Sequence, residues 1–220
     1  MSIEECIAAI RNEINESVTL VAVSKTKPVE AILAAYTTGQ REYGENKVQE
    51  LVAKYELLPK DIHWHLIGHL QSNKVKYIAP FVNLIHSVDG LKLLTEINKQ
   101  ALKNNRIIDC LLQFHVATEE TKFGLYQSEA IELLDSKEYT SMKNIRVVGI
   151  MGMASFTENE SLIRSEFQSL KSIFHSLKES HFPGDNAFKE ISMGMSGDYK
   201  IAIEEGSTMI RVGSTIFGSR

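Results

Sequence analysis

A lysine stands at the end of the first strongly apolar run of the chain. Residues 18–24 are mostly apolar, Lys25 follows them directly, and Pro28 comes three residues later. Such a run predicts a buried strand, and Pro28 suits the first turn of a following helix. In parallel α/β folds the carboxyl end of a strand faces the ligand site. A lysine in a partly dry pocket can lose its proton and attack carbonyl groups. We therefore predict that Lys25 is a nucleophile, although a solvated lysine is the commoner case at a strand end.

Two stretches near the end of the sequence are rich in glycine and hydroxyl groups. Gly194, Ser196 and Gly197 follow a predicted seventh strand, whereas Gly213 and Thr215 follow an eighth. Ser196 is predicted to cap the next helix, and free N–H groups at a helix start favour phosphate. Ordinary turns have the same composition, so spacing alone leaves a phosphate site and two plain turns equally open.

The predicted ligand is a phosphorylated carbonyl compound, because a nucleophilic lysine and a phosphate site are both expected at the carboxyl ends of the strands. Pyridoxal 5′-phosphate is the first candidate, because its aldehyde forms an imine with lysine while its phosphate anchors the other end. A phosphorylated sugar handled by a Schiff-base aldolase fits the same logic and stays open as an alternative.

Other lysines compete with Lys25. Lys27 has the same strand parity, so alternation does not separate the two, although Lys27 is expected in the turn before Pro28. Lys74 and Lys122 also follow predicted strands. We expect all three to be solvated or ion-paired, and they would draw anions towards the mouth.

Two histidines, His63 and His65, lie two residues apart and therefore share one strand face. A pair of histidines can bind a metal, but no third ligand occurs at a useful spacing, so no metal site is predicted. Trp64 then faces the opposite way, into packing.

Eight strand-like segments alternate with helices along the chain. They are residues 18–24, 41–43, 63–67, 81–86, 107–116, 145–151, 188–192 and 208–212. Strict alternation implies parallel strands with helical crossovers, and eight such units close into a (β/α)₈ TIM barrel. The prediction is a single barrel domain over residues 1–220, with an extra amphipathic helix at residues 2–15. An open doubly wound sheet is disfavoured, because no Gly-x-Gly-x-x-Gly follows the first strand.

Composition excludes several classes of protein. The net charge of −4 is spread over interspersed acidic and basic residues, so no basic face for nucleic acid is expected. Cys6 and Cys110 lie far apart, which suits a reducing cytoplasm and excludes a disulfide scaffold. We find no signal peptide and no apolar run of membrane-spanning length, so we predict a cytoplasmic protein.

Six motifs in this order resemble the pyridoxal phosphate homeostasis protein family, which is related to the N-terminal barrel of alanine racemase. They are AVSKTKP (22–28), YGENKVQE (43–50), WHLIG (64–68), LQSNK (70–74), MGMSGD (193–198) and RVGSTIFG (211–218). They span nearly the whole chain. His69 is a departure, since many members have proline or a similar residue there, and it puts the shape of one loop in doubt.

The resemblance implies a role for each residue of a cofactor site. Lys25 would bind pyridoxal phosphate as a Schiff base, and Arg211 would face the pyridine nitrogen. Ser196, Gly213 and Thr215 would hold the phosphate, assisted by backbone N–H groups. Residues implied for the ring pocket are Asn46, His65, Met153 and Met193, and Lys122 would lie near its mouth.

The same resemblance implies cofactor storage or delivery in vitamin B6 homeostasis, with apo-enzymes that use pyridoxal phosphate as candidate acceptors. An arginine at the pyridine nitrogen would keep that nitrogen unprotonated, because two cations would otherwise meet. The ring would then be a weak electron sink, so a slow racemase-like enzyme is the alternative. Racemases also use a tyrosine from a partner's extra domain, which we do not find here, so we expect a monomer.

Overall fold

Eight parallel strands form a closed barrel in which each strand pairs with its neighbours in sequence and β8 pairs with β1. The computed structural model describes residues 1–117 and 123–218. The strands are β1 Thr19–Val23, β2 Glu42–Glu45, β3 His63–Leu66, β4 Leu84–Val88, β5 Ile108–Gln113, β6 Ile145–Met151, β7 Glu190–Met195 and β8 Met209–Val212. The predicted (β/α)₈ barrel is confirmed.

Helices connect the strands as the alternation predicts. They are α1 Ile3–Glu13, α2 Val29–Thr37, α3 Val48–Leu57, α4 Val75–Ile78, α5 Leu91–Lys103, α6 Gln127–Asp135, α7 Lys137–Ser141, α8 Glu160–Ser180, α9 Tyr199–Glu204 and α10 Ser214–Phe217. A 3₁₀ turn, Ser72–Lys74, precedes α4. No helix in the described ranges is long and apolar enough to cross a membrane.

The extra N-terminal helix α1 is confirmed and begins with a capping box. The Ser2 hydroxyl accepts from the Glu5 N–H at 3.2 Å, and the Glu5 carboxylate accepts from the Ser2 N–H at 2.8 Å. Each bond satisfies an N–H that has no partner within the helix. Ile7 and Ile10 are buried and hold α1 against α2 and α10.

The predicted bounds of two strands are wrong. The fourth was predicted at 81–86 but occupies Leu84–Val88, because Phe81 belongs to the turn after α4 and stacks on Tyr55 with ring centroids 3.8 Å apart. The seventh was predicted at 188–192 but occupies Glu190–Met195. Phe188 instead packs against Phe182, with centroids 4.0 Å apart. Aromatic residues that pack between strands and helices look like strand residues in a sequence.

Side chains alternate between the barrel lumen and the layer under the helices. Trp64 is fully buried in the outer layer, beside Tyr43, which confirms that it faces away from His65. A separate apolar cluster joins side chains of β1, β4, β5, β6 and β8. Because strands so far apart in a closed barrel meet only in its lumen, this cluster fills the lumen.

The close pairing of β6 with β7 can be tested at Gly149, where there is no room for a side chain. It lies where the register between β5 and β6 shifts, and a Cβ added there would meet the Glu190 carbonyl oxygen at 1.9 Å. We expect Gly149→Ala to lower the free energy of unfolding by about 3 kcal/mol, measured by urea denaturation. In the control Gly90→Ala, the new Cβ meets nothing within 4 Å. Equal stability of the two variants would contradict this account.

Candidate functional site

A cleft of about 500 Å³ opens at the carboxyl ends of the strands, and we call it the carboxyl-end cleft. This volume lies within the range of small-molecule and cofactor sites. The polar side chains that line it include Lys25, Thr26, Lys27, Asn46, Ser155, Thr157, Ser196, Asp198, Arg211 and Ser214. They come from the loops after β1, β2, β6 and β7 and from β8 with its loop. The cleft is therefore where a (β/α)₈ barrel carries its ligand site.

The cleft brings together six of the residues that the sequence predicted for the site. They are Lys25, Asn46, Met153, Ser196, Arg211 and Gly213. His65 and Met193 do not line it, since His65 is bonded within the lumen and Met193 is fully buried in the outer layer. Thr215 is exposed outside the lining, whereas its neighbour Ser214 belongs to it. Lys122 lies outside the described residues.

A tight turn at the end of β1 places Lys25 at the edge of the cleft. The Lys27 N–H donates to the Ser24 carbonyl at 3.0 Å, and Thr26 adopts a left-handed φ of 65°. A residue other than glycine reaches this region at a cost of about 1 kcal/mol or more. The Thr26 N–H donates to a carboxylate oxygen of Glu50 at 2.6 Å, which offsets part of that cost.

A buried ion-pair network supports that turn, and the sequence analysis missed it. The Lys54 ammonium donates to the Ser24 carbonyl, to Glu45 Oε1 and to Glu50 Oε1, each at 2.7 Å. The Ser24 hydroxyl also donates to Glu45 Oε1 at 2.6 Å. The network ties α3 to the residue just before Lys25. Its only trace in the sequence is the i,i+4 spacing of Glu50 and Lys54 on one helix.

Burial dominates the electrostatics of Glu45, whose side chain is fully enclosed. Burial raises the pKa of Glu45, while the hydrogen bonds from Lys54 and Ser24 and the charge of Lys54 lower it without cancelling the effect. The carboxylate therefore depends on the Lys54 cation to remain ionised inside the protein.

Lys27 contacts the carboxyl end of α10. Its ammonium donates to the Phe217 carbonyl at 2.9 Å and to the Gly218 carbonyl at 3.0 Å. These carbonyls lie at the end of α10, where a cation is favourable. Lys27 therefore links the loop after β1 to the end of α10, which strand parity alone did not indicate.

The two glycine-rich loops contact each other directly. The Gly213 N–H donates to the Ser196 hydroxyl at 3.1 Å. The prediction that Ser196 caps the helix is wrong, because β7 continues to Met195 and the N-cap of α9 is Asp198. Gly197 leaves open space, since a Cβ there would meet nothing within 4 Å. The loops thus present small side chains and a hydroxyl group to the cleft.

Arg211 lies at the base of the cleft and is held in one orientation. One guanidinium nitrogen donates to the Ser192 hydroxyl at 2.5 Å and the other to the Gly152 carbonyl at 3.0 Å. Burial lowers the pKa of Arg211 to about 10, against the charge of Asp198, which raises it. The side chain is only 4% exposed and still carries its positive charge at neutral pH.

The loop after β6 forms one wall of the cleft and is held by hydrogen bonds to α8. The N–H and hydroxyl of Ser155 each donate to the buried carboxylate of Glu166 on α8, both at 2.7 Å. This anchor fixes the loop that carries Met153, and neither Ser155 nor Glu166 was predicted.

His69, the departure from the family pattern, pairs with Asp89 at 3.3 Å and stacks on Phe123 outside the cleft lining.

Comparison with known proteins agrees with this fold. The family described as "Alanine racemase, N-terminal domain" matches residues 2–220, and an alanine racemase of Clostridium difficile shares the fold, with a TM-score of 0.81 at 13% identity over 100% of this chain and 57% of that one. The pyridoxal phosphate homeostasis protein of Aquifex aeolicus is 43% identical over 203 residues, which are 91% of this chain and 86% of that protein.

Two solved structures are similar over their whole length. PipY of Synechococcus elongatus, without PLP, superposes with a TM-score of 0.92 at 33% identity, over 99% of this chain and 100% of that one. PipY with PLP bound gives 0.89 at the same identity and coverage. Fold and site thus define a barrel of the alanine racemase N-terminal type. Within that class, the chain belongs to the pyridoxal phosphate homeostasis protein family.

The Lys54 network predicts a pH-dependent loss of stability. Lys54→Met leaves Glu45 buried without its cation and should cost about 3 kcal/mol near neutral pH. Because burial raises the pKa of Glu45, the protonated carboxyl is the form that tolerates burial. The deficit should therefore be smaller at pH 5 and larger at pH 8, as measured by denaturant unfolding at both values.

Lys99→Met is the matched control, since Lys99 is 60% exposed and only 3.8 Å from Glu96. It should change stability little at either pH. If both variants lost stability equally, or if the Lys54→Met deficit were the same at pH 5 and pH 8, the buried pair would not support the turn as described.

Proposed function

We propose that this chain binds pyridoxal phosphate in the carboxyl-end cleft and acts in vitamin B6 homeostasis by storing or delivering it. The observation that carries the proposal is the meeting of Lys25, the Ser196–Gly213 contact and Arg211 around one cleft. Relatives named pyridoxal phosphate homeostasis proteins, and a PipY structure with PLP bound, support it.

The chemistry of the donor groups fits the cofactor. Bound pyridoxal phosphate supplies an aldehyde that condenses with an amine and a ring that accepts electrons. Lys25 would be the amine for the aldehyde end. Ser196, Gly213 and Ser214 would provide hydroxyl groups and close backbone approach for the phosphate, and Thr215 would contribute its N–H in the first turn of α10. Asn46 and Met153 would line the ring pocket.

Arg211 favours a carrier over a catalyst. Its two hydrogen bonds hold a cation that would face the ring nitrogen, and a second cation there would be repelled. The ring then withdraws electrons weakly. Among the described residues that line the cleft, none is a tyrosine or a histidine that could act as a second base.

The proposal extends to the enzymes that accept the cofactor and to the cellular location and oligomeric state of this protein. Apo-enzymes that use pyridoxal phosphate would receive the cofactor from this protein. Cys6 and Cys110 are both free thiols, which suits a reducing cytoplasm. We propose that the protein works there as a monomer, for which light scattering of the purified chain is the measurement.

Lys25→Ala tests the attachment. Wild-type protein loaded with pyridoxal phosphate should be yellow, and borohydride should remove the absorption band and lock the cofactor onto a peptide containing Lys25. Lys25→Ala should lack the band. Lys27→Ala is the control, since it removes the contacts to α10 and should keep the band.

Two outcomes would contradict the proposal. A colourless wild type after incubation with pyridoxal phosphate would favour a sugar-phosphate ligand and a Schiff-base aldolase instead. Substrate-dependent loss of α-deuterium from an amino acid would show turnover and favour a racemase-like enzyme over a carrier.

A further inference from the structure

A continuous series of hydrogen bonds crosses the barrel from its amino-terminal face to Arg211, and we call it the lumen network. Glu42 Oε2 lies 2.7 Å from His65 Nε2, and His65 Nδ1 lies 2.8 Å from His86 Nε2. His86 Nδ1 lies 3.0 Å from the Ser192 hydroxyl, which accepts from Arg211 at 2.5 Å. These five residues come from β2, β3, β4, β7 and β8.

The network runs through the lumen. His86 on β4 and Ser192 on β7 are not on neighbouring strands, so their contact must cross the interior of the closed barrel. Both side chains are buried, at 0% exposure, in a lumen that is otherwise apolar. The apolar side chains there are Val21, Leu84, Leu111, Val148, Met151 and Met209. Polar groups in such surroundings need each other as partners, because an unpaired one would be costly.

With a neutral His65, the two ends of the network fix every hydrogen between them. The guanidinium of Arg211 only donates and an ionised Glu42 only accepts. Ser192 accepts from Arg211 and passes its own hydrogen to His86 Nδ1. His86 then donates from Nε2 to His65 Nδ1, and His65 donates from Nε2 to Glu42. All bonds point one way, with both histidines neutral and protonated on Nε2.

The electrostatics agree with this assignment. Burial, together with the charge of the nearby Arg211, holds the pKa of His86 well below its ordinary value, so His86 is neutral. Burial by itself would raise the pKa of Glu42, but the hydrogen bonds from His65 and His63 help to lower it below its ordinary value. Glu42 is therefore ionised at neutral pH.

The two ends of the network open to different faces of the barrel. Arg211 lines the carboxyl-end cleft, whereas Glu42 is 29% exposed and lines a cleft of about 440 Å³ with Arg11, Gln40 and Arg41. Val18 and Leu20, at the start of β1, also line this second cleft. It therefore lies at the amino-terminal face, away from the cofactor site.

We propose that Glu42, His65, His86 and Ser192 are positioning residues that orient Arg211 and partly neutralise its charge from the opposite face of the barrel. This inference rests on the proposed function, in which Arg211 faces the ring nitrogen of pyridoxal phosphate. His65 then serves the site through the lumen network, without lining the ring pocket. Each bond in the series polarises the next, so the Glu42 carboxylate strengthens the Ser192–Arg211 bond.

The first test needs no cofactor. Nitrogen-15 NMR of labelled histidines in the cofactor-free protein, assigned by single substitutions, reports which ring nitrogen carries hydrogen. We expect His65 and His86 to be neutral and protonated on Nε2 at neutral pH. Hydrogen on Nδ1 of His86 would reverse the series and overturn the proposal, whether or not the protein binds pyridoxal phosphate.

The second test is a double-mutant cycle on protein loaded with pyridoxal phosphate. The readout is the pH midpoint at which the absorption band of the bound cofactor changes. A less neutralised Arg211 disfavours a cation on the cofactor, so Glu42→Gln should lower the midpoint by about 0.5 pH unit and Ser192→Ala by about 1. The double variant should shift no further than Ser192→Ala, because the Glu42 effect is transmitted through Ser192.

His63→Gln is the matched control. His63 contacts the other oxygen of Glu42 at 2.6 Å, is 50% exposed and lies outside the lumen network. It should leave the midpoint unchanged. Additive shifts in the double variant would indicate a through-space charge effect and overturn the proposal, as would no shift in Glu42→Gln. If Ser192→Ala fails to fold, Ser192→Cys, whose thiol is only a weak hydrogen-bond donor and acceptor, completes the cycle.

The two tests separate failure of this inference from failure of the proposed function. A wild type that takes up no pyridoxal phosphate removes the second readout and contradicts the function, while the NMR result still decides the lumen network. Normal loading with additive shifts contradicts the positioning role alone.

Discussion

The pairing of β1 with β8 is the contact on which the rest of the site depends. Thr19, Leu20, Val21 and Ala22 pair in register with residues 209–212, which closes the barrel. Closure sets the end of β1, with Lys25, beside the loop that begins at Gly213. The approach is so close that a Cβ on Gly213 would lie 3.2 Å from the Val23 carbonyl oxygen. Lys25 and the loop after β8, separated by most of the chain, thereby face one cleft.

Closure also forces polar side chains in the lumen to satisfy one another. His65, His86, Ser192 and Arg211 are almost or fully buried, and their hydrogen bonds form one continuous series that ends at Glu42. Glu45 and Lys54 likewise satisfy each other as a buried ion pair beneath the turn that carries Lys25. In both places a buried charge is tolerated because its partner is held rigidly, and the same rigidity orients a group at the cleft.

A site of this kind suits holding a cofactor. Lys25 is placed by a turn with a left-handed Thr26, and Arg211 is fixed by two hydrogen bonds. In the proposed function, a fixed cation near the ring nitrogen would weaken the ring as an electron sink. Among the described residues, no tyrosine or histidine lines the cleft as a second base. Through Glu42, the amino-terminal face would then influence the electronic state of the bound cofactor.

The sequence by itself determined the alternation of strands and helices, the barrel they build, and the location of Lys25, Ser196, Arg211 and Gly213 at strand ends. Hydrophobic periodicity and turn residues are local signals, and they were sufficient for these features. Tertiary structure alone decided where β4 and β7 begin, that Asp198 and not Ser196 caps α9, that Lys54 is a core residue, and that His65 belongs to the lumen network. Several of these depend on contacts that hydrophobic periodicity does not show: Phe188 packs on Phe182 and Phe174, the Gly213 N–H donates to Ser196, and His86 contacts Ser192. Periodicity shows that a residue is buried, but only the closed barrel shows what it faces.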